Sequence, residues 1–276
     1  LEKRMKLYQD HAANLCVDAI EDCISNKIKK EQITHLVTVS CTGMSAPGID
    51  LEIIEMMGLQ QNIVRTSVNF MGCYAAIHGL KLADAFCKSN PDANVMVVCV
   101  ELCTLHFQKS ISADNMTSSL LFADGCAAML IQPGNTKHCG FRIKSFFSDV
   151  SFKGKKDMAW ELSSTGFLMT LTGYVPELIR EDFSELVEKA LSAAGMKQSD
   201  ISHWCIHPGG KKILDTITVS LGITTDELKY SYEVLNDYGN MSSPTILFVL
   251  KKLLEEFEKK KKLQQPVIFS AAFGPG

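Results

Sequence analysis

The sequence predicts an α/β protein assembled from two successive halves. Helix-period and strand-like segments alternate along most of the chain, and the pattern restarts after residue 150. The composition is that of a folded chain. Of 276 residues, 46% are hydrophobic and 21% charged, with 18 Gly and 8 Pro, which excludes disordered, collagen-like and low-complexity classes. No short-period repeat is present, so solenoids are excluded as well.

The elements can be justified in order. Residues 3–25 read as a helix on an imperfect face of Leu7, His11, Leu15, Asp18 and Cys23. The β-branched run at 35–40 predicts a buried strand. A short helix over 49–57 and a strand over 63–70 follow. Residues 73–88, rich in Ala, Leu and Ile, predict a helix, and 94–101 a strong strand. A short helix at 115–122 and strands at 126–131 and 141–150 are expected next. In the second half, 176–194 reads as a helix with Pro176 in its first turn and Gly195 at its end. A strand at 203–206, a helix at 211–221, a helix at 244–260 and a strand at 267–271 complete the series. The division falls between 1–139 and 140–276.

Charge and cysteine usage narrow the function classes. The formal net charge is −3, which does not suit a dedicated nucleic-acid binder. The run Lys259-Lys260-Lys261-Lys262 reads as a solvated helix end that complements the helix dipole. No apolar run reaches the roughly 18 residues of a membrane span. The ten cysteines are spread along the chain, several within apolar runs such as Val95 to Val100, where a thiol behaves as a small hydrophobe. That pattern predicts a reducing, cytoplasmic compartment. There is no Cys-x-x-Cys pair, so a structural zinc site of that type is not expected. The first residues are not a signal peptide. They read as the inside of a helix, and the last ones as a turn after a strand, so truncation at both ends is expected.

Three segments carry residues capable of chemistry. In Asn69-Phe70-Met71-Gly72-Cys73-Tyr74-Ala75-Ala76 a strand ends, Gly72 permits a sharp turn and Cys73 opens a helix. A thiol there feels the positive end of the helix dipole, which favours thiolate; the plainer reading is a structural Cys at a strand–helix junction. In His203-Trp204-Cys205-Ile206-His207-Pro208-Gly209-Gly210 a strand runs into a turn with His207 at its end, a position that lines many α/β active sites. His203, Cys205 and His207 share a face by alternation. The outer two are too far apart for one metal and no fourth ligand is near, so no metal site is expected. In Asp237-Tyr238-Gly239-Asn240-Met241-Ser242-Ser243-Pro244 a turn leads into a helix, and alone it would be only a helix start.

Together these segments give Cys, His and Asn in chain order: a nucleophile, a base and an amide donor. Papain-like proteases share this order but carry Cys-Gly-Ser-Cys-Trp around the nucleophile, where this chain has Gly72-Cys73-Tyr74-Ala75. The thiolase superfamily also uses the trio. Gly72-Cys73-Tyr74-Ala75, Phe122-Ala123-Asp124-Gly125, His207-Pro208-Gly209-Gly210, Tyr238-Gly239-Asn240-Met241-Ser242-Ser243 and Phe273-Gly274-Pro275-Gly276 resemble the type III polyketide synthases of the chalcone synthase family. The likeness extends over essentially the whole chain. A related ketoacyl-carrier-protein synthase is the alternative within the superfamily.

The resemblance implies a layered αβαβα thiolase fold, a homodimer, and no metal or tightly bound cofactor. It implies that Cys73 accepts an acyl starter from coenzyme A and that His207 holds Cys73 as thiolate. His207 and Asn240 would stabilise the enolate formed when malonyl-CoA loses CO2, and that enolate would attack the acyl thioester in a Claisen condensation. Cyclisation would follow. Phe122 matches one gatekeeping aromatic and Met169 falls at the second, with Phe167 adjacent. Gly209, Gly210 and Lys211 fall where coenzyme A and its pantetheine arm are met. Cys41, His106, Trp160 and Ser242 fall on the substrate cavity. Cys41 and His106 replace Thr, and Trp160 stands where a small Gly is expected, as in the bacterial and fungal branch. A redirected cavity follows from these changes, with alkylpyrone, alkylresorcinol or chalcone-like products. Ala272 departs from the family's Gly before Phe273, and the family carries a further strand beyond this loop and a longer N-terminal region.

Overall fold

Strict alternation builds the first sheet. In β1 (His35–Ser40) and β3 (Val95–Leu102) every residue is buried, the mark of central strands covered on both faces. Val37, Val39, Val95, Val97 and Cys99 point to one side, and Leu36, Met96, Val98 and Val100 to the other. The computed structural model describes residues 1–109, 113–134, 140–260 and 266–275. Within them the sheet order is β2-β1-β3-β4, with β2 (Val64–Asn69) and β3 parallel to β1 and β4 (Asp124–Ile131) antiparallel to β3.

Five layers follow. Helices α1 (Glu2–Ile24) and α2 (Ile49–Met57) cover one face of that sheet. On the other face lie α3 (Ala75–Ser89) and α8 (Thr245–Lys260), which share one core with Cys205 of the next sheet. Gly79 of α3 lets helix and sheet approach closely, since a Cβ there would sit 2.9 Å from Val97 Cγ1. The second sheet pairs β7 (His203–Ile206) and β8 (Ile268–Ala271) in parallel. Its far face is covered by α5 (Val175–Ala193) and α6 (Lys211–Leu221). Helix–sheet–helix–sheet–helix is the αβαβα arrangement expected.

The predicted elements lie within one or two residues of these bounds, with four differences. Residues 141–150 form no strand, because their extended backbone finds no ladder partner among the described residues. The hairpin of β5 (Met158–Leu162) and β6 (Phe167–Leu171) was not foreseen, nor was α7 (Lys229–Tyr238). The fourth is a start point: Cys73 precedes its helix, which begins at Ala75. Lys261, Lys262 and Gly276 lie outside the described residues. A short helix, α4 (Ala113–Leu121), leads into β4. No described helix is long and apolar enough to cross a membrane, and nine described cysteines are free thiols.

Candidate active site

The site forms where loops after several strands meet between the two halves. Cys73 stands just before α3, His207 just after β7, and Asn240 after α7. All three line one small cavity, with Ser242, Phe122, Gly209, Cys41, Trp160 and Met169. Its free volume is about 40 Å³, room for one or two water molecules. A wider crevice, about 2350 Å³, lies elsewhere between β4, α5, α8 and β8, and none of the three residues borders it.

Backbone geometry holds each group. Gly72 adopts φ +79°, and a Cβ there would overlap Pro275 Cδ, so only glycine lets the chain turn into Cys73 under that loop. Asn240 is tied by its backbone: its N–H donates to Leu121 O (2.9 Å) and its C=O accepts from Ala123 N–H (2.9 Å). The same bridge seats Phe122 beside the cavity. Asn240 Oδ1 accepts from Ser242 N–H (2.8 Å). Phe70 and Ser242, which flank Cys73 and Asn240, have φ of +57° and +59°. Left-handed backbone at non-glycine residues is strained and tends to gather at functional sites.

The electrostatics differ from the dipole-activated thiolate expected. Burial pushes the Cys73 thiol up to about 11, partly opposed by hydrogen bonds from Ser242 and Asn240. Burial pushes His207 down to about 4. Desolvation thus outweighs the helix end, which Cys73 only approaches. Burial favours the neutral form of both thiol and imidazole in the closed cavity. Both ring nitrogens of His207 are buried without a hydrogen-bond partner. Such orphaned atoms are rare in folded proteins and mark a group kept for a visitor.

A carboxyl not foreseen from sequence lies behind the cavity. Glu101, fully buried at the end of β3, accepts from Cys41 N–H (2.9 Å), Thr42 Oγ1 (2.9 Å) and Ser243 Oγ (2.7 Å). Burial raises it to about 7 despite these donors. It joins the β1 end to the α8 start, and so one half to the other. A lone Glu next to last in an eight-residue, otherwise apolar strand was the available signal. Thr42 was likewise not singled out, whereas Phe273 and Pro275, from the closing motif of the resemblance, border the cavity.

Three expected site residues, Lys211, His106 and Gly210, lie away from the cavity. Lys211 is exposed and paired with Asp215 (2.8 Å), because at the first turn of α6 its side chain follows the solvent face. His106 is buried behind Trp160 rather than facing the cavity. Gly210 caps α6 next to Leu121 and Gly209 borders the cavity. Between Met169 and Phe167, Met169 lines the cavity, directly across the hairpin from Trp160.

The fold is that of the thiolase-type acyltransferases, and within it Cys73, His207 and Asn240 line one cavity. Residues 1–135 match the chalcone and stilbene synthases, N-terminal domain, and residues 144–276 match their C-terminal domain. The chain belongs to that family and is a type III polyketide synthase, which excludes the carrier-protein synthase and protease alternatives. It is 32% identical over 286 residues to alpha-pyrone synthesis polyketide synthase-like Pks18 of Mycobacterium tuberculosis, covering 100% of this chain and 71% of that protein. It is 30% identical over 289 residues to type III polyketide synthase C of Arabidopsis thaliana, covering 100% and 74%. The C-terminal type III polyketide synthase domain of Steely1 from Dictyostelium superposes with TM-score 0.89 at 30% identity, over 100% of this chain and 77% of that one. For 1,3,6,8-tetrahydroxynaphthalene synthase of Streptomyces coelicolor the TM-score is 0.87 at 26% identity, over 92% and 73%.

Proposed function

We propose that Cys73, His207 and Asn240 carry out loading and decarboxylative condensation of coenzyme A thioesters. The observation that supports this best is the convergence of the three on one nearly closed cavity where the His207 nitrogens have no partner. A neutral His207 can take the Cys73 proton as Sγ attacks the starter thioester. The acyl group passes to sulfur, and coenzyme A leaves with that proton. When malonyl-CoA follows, loss of CO2 leaves an electron pair as an enolate. Donors from the His207 ring and the Asn240 amide meet its oxygen, in a dry site where such bonds are strong. The enolate carbon then attacks acyl-Cys73, a carbon–carbon bond forms and the thiolate is released.

Phe122 and Met169 border the approach as gate residues, Cys41, Trp160 and Ser242 shape the acyl cavity, and Gly209 faces the pantetheine arm. The reaction needs coenzyme A thioesters as substrates and no tightly bound cofactor. The nucleophile belongs to a half spanning 1–139, and the His and Asn to a half spanning 140–276. The molecule is a cytoplasmic homodimer, with β2 as the edge that meets the second copy. Val64 of β2 and Leu51 and Met56 of α2 are all exposed apolar residues. The proposed products are alkylpyrones, alkylresorcinols or chalcone-like rings, with Trp160 narrowing the cavity in which they form. Incubation with malonyl-CoA and a panel of aromatic and fatty acyl-CoA starters tests the reading. Acyl adducts on Cys73 with pyrone or resorcinol products are expected, and neither adduct nor CO2 release would refute it.

A further inference from the structure

We propose that His106 is a positioning residue that latches the β5–β6 hairpin and so sets how large an acyl chain the cavity accepts. The inference rests on the proposed cavity above, whose wall is Trp160. It begins from the topology: among the described residues β5 and β6 pair only with each other. A two-stranded hairpin is marginal alone, so side-chain ties must set where this one rests.

Two ties do so, and they end on consecutive carbonyls. Trp160 Nε1–H donates to Cys41 O (2.7 Å). His106 Nε2–H donates to Thr42 O (2.6 Å), while its Nδ1 accepts from Phe167 N–H (3.0 Å). The imidazole is therefore a relay from the hairpin backbone to the Cys41–Thr42 turn. That turn is itself fixed by Glu101 and by Leu102 N–H donating to Thr42 Oγ1 (2.9 Å).

Ring packing completes the latch. His106 stacks on Phe167 at 4.3 Å and 8°, and meets Trp160 edge-on at 5.6 Å and 82°. A neutral imidazole is a flat ring with a donor and an acceptor on opposite sides. Phenylalanine keeps the ring and loses both ties. Glutamine is flexible and keeps one at most. His106 itself does not line the cavity, so its effect on products passes through Trp160.

The test uses His106→Phe and His106→Gln in the full chain, with malonyl-CoA and straight-chain acyl-CoA starters of increasing length. Product sizes are read by mass spectrometry, and malonyl-CoA decarboxylation is measured alongside. The latch predicts that His106→Phe moves the ratio of products differing by one extension about tenfold toward the longer, the low end of what a small change in an apolar pocket discriminates. His106→Gln should move it about threefold. Decarboxylation should stay within about twofold of the parent. A purely structural histidine would change the amount of folded enzyme and leave the ratio alone. A parent-like ratio in His106→Phe overturns the proposal. If that variant does not fold, a parent-like ratio in His106→Gln does. In a Trp204→Phe background, acrylamide quenching of Trp160 should also rise in the His106 variants. If the parent enzyme yields no adduct or product with any starter, the proposed function fails. The quenching arm then still decides the latch, and unchanged quenching refutes it.

Discussion

Cys73 and His207 are each shifted away from charge by burial, and Glu101 is held near neutrality behind them. These shifts make stability depend on pH in opposite directions. His207 is depressed from 6.5 to about 4. The stability tied to its neutral form is complete above the unfolded value and lost as pH falls through about 4. Glu101 is raised from 4.5 to about 7. Its contribution is complete below the unfolded value and lost as pH rises through about 7, a span worth about 3 kcal/mol at most. Glu101→Gln should therefore gain Tm relative to the parent as pH goes from 4 to 7.5. His207→Gln should gain relative to the parent as pH falls from 7 to 4. Differential scanning across that range reads both, and parallel profiles would contradict the assignment. Asn240 offers a cleaner separation, because its backbone bears the ties to Leu121 and Ala123. Asn240→Ala should lower condensation by about 100-fold while Cys73 still accepts starter, as rapid-quench mass spectrometry would show. Cys73, His207 and Asn240 were legible as candidates only as a set, since each segment alone read as structural and the chain order and the family resemblance brought them together. Glu101 was not, since nothing in a sequence tells which strand-end carboxyl is taken out of water.

At the level of elements, the β5–β6 hairpin forms one wall of the cavity. Trp160 and Met169 face each other across it and both border the cavity. Trp160→Gly removes the largest wall residue and its bond to Cys41 O, so products should lengthen or change ring type. An unchanged product profile by liquid chromatography would count against a wall at this position. Most elements were readable in the sequence, because the central strands β1 and β3 are buried on both faces and the helices carry apolar stripes. The exceptions have physical causes. Residues 141–150 have strand-forming side chains, but a strand needs a partner and propensity does not supply one. In β6, Phe167 to Leu171 is nearly continuous apolar sequence without clean alternation. Helix α7 buries only Ser231 and Val234, too few to mark a stripe. His106 reads as a cavity residue by position, yet its two hydrogen bonds turn it into the layer behind.

Across the whole molecule, the site exists only because two halves meet. Cys73 comes from one and His207 and Asn240 from the other, with Glu101 and Ser243 bonded across the seam. The layered order was legible as two α/β runs, whereas the seam was not, because contacts between distant segments leave no local pattern. The β2 edge gives a prediction at this scale. Val64→Lys should weaken self-association and shift the molecule toward monomer in light scattering, since an exposed apolar edge residue becomes a charge. A dimer as tight as the parent would place the interface elsewhere. The most direct measurement for the central claim is intact-mass analysis with malonyl-CoA and an acyl-CoA panel, run beside Cys73→Ala. An acyl increment mapping to Cys73, absent from the variant and followed by polyketide release, is the predicted result. An increment that survives in Cys73→Ala, or polyketide release from that variant, would contradict it.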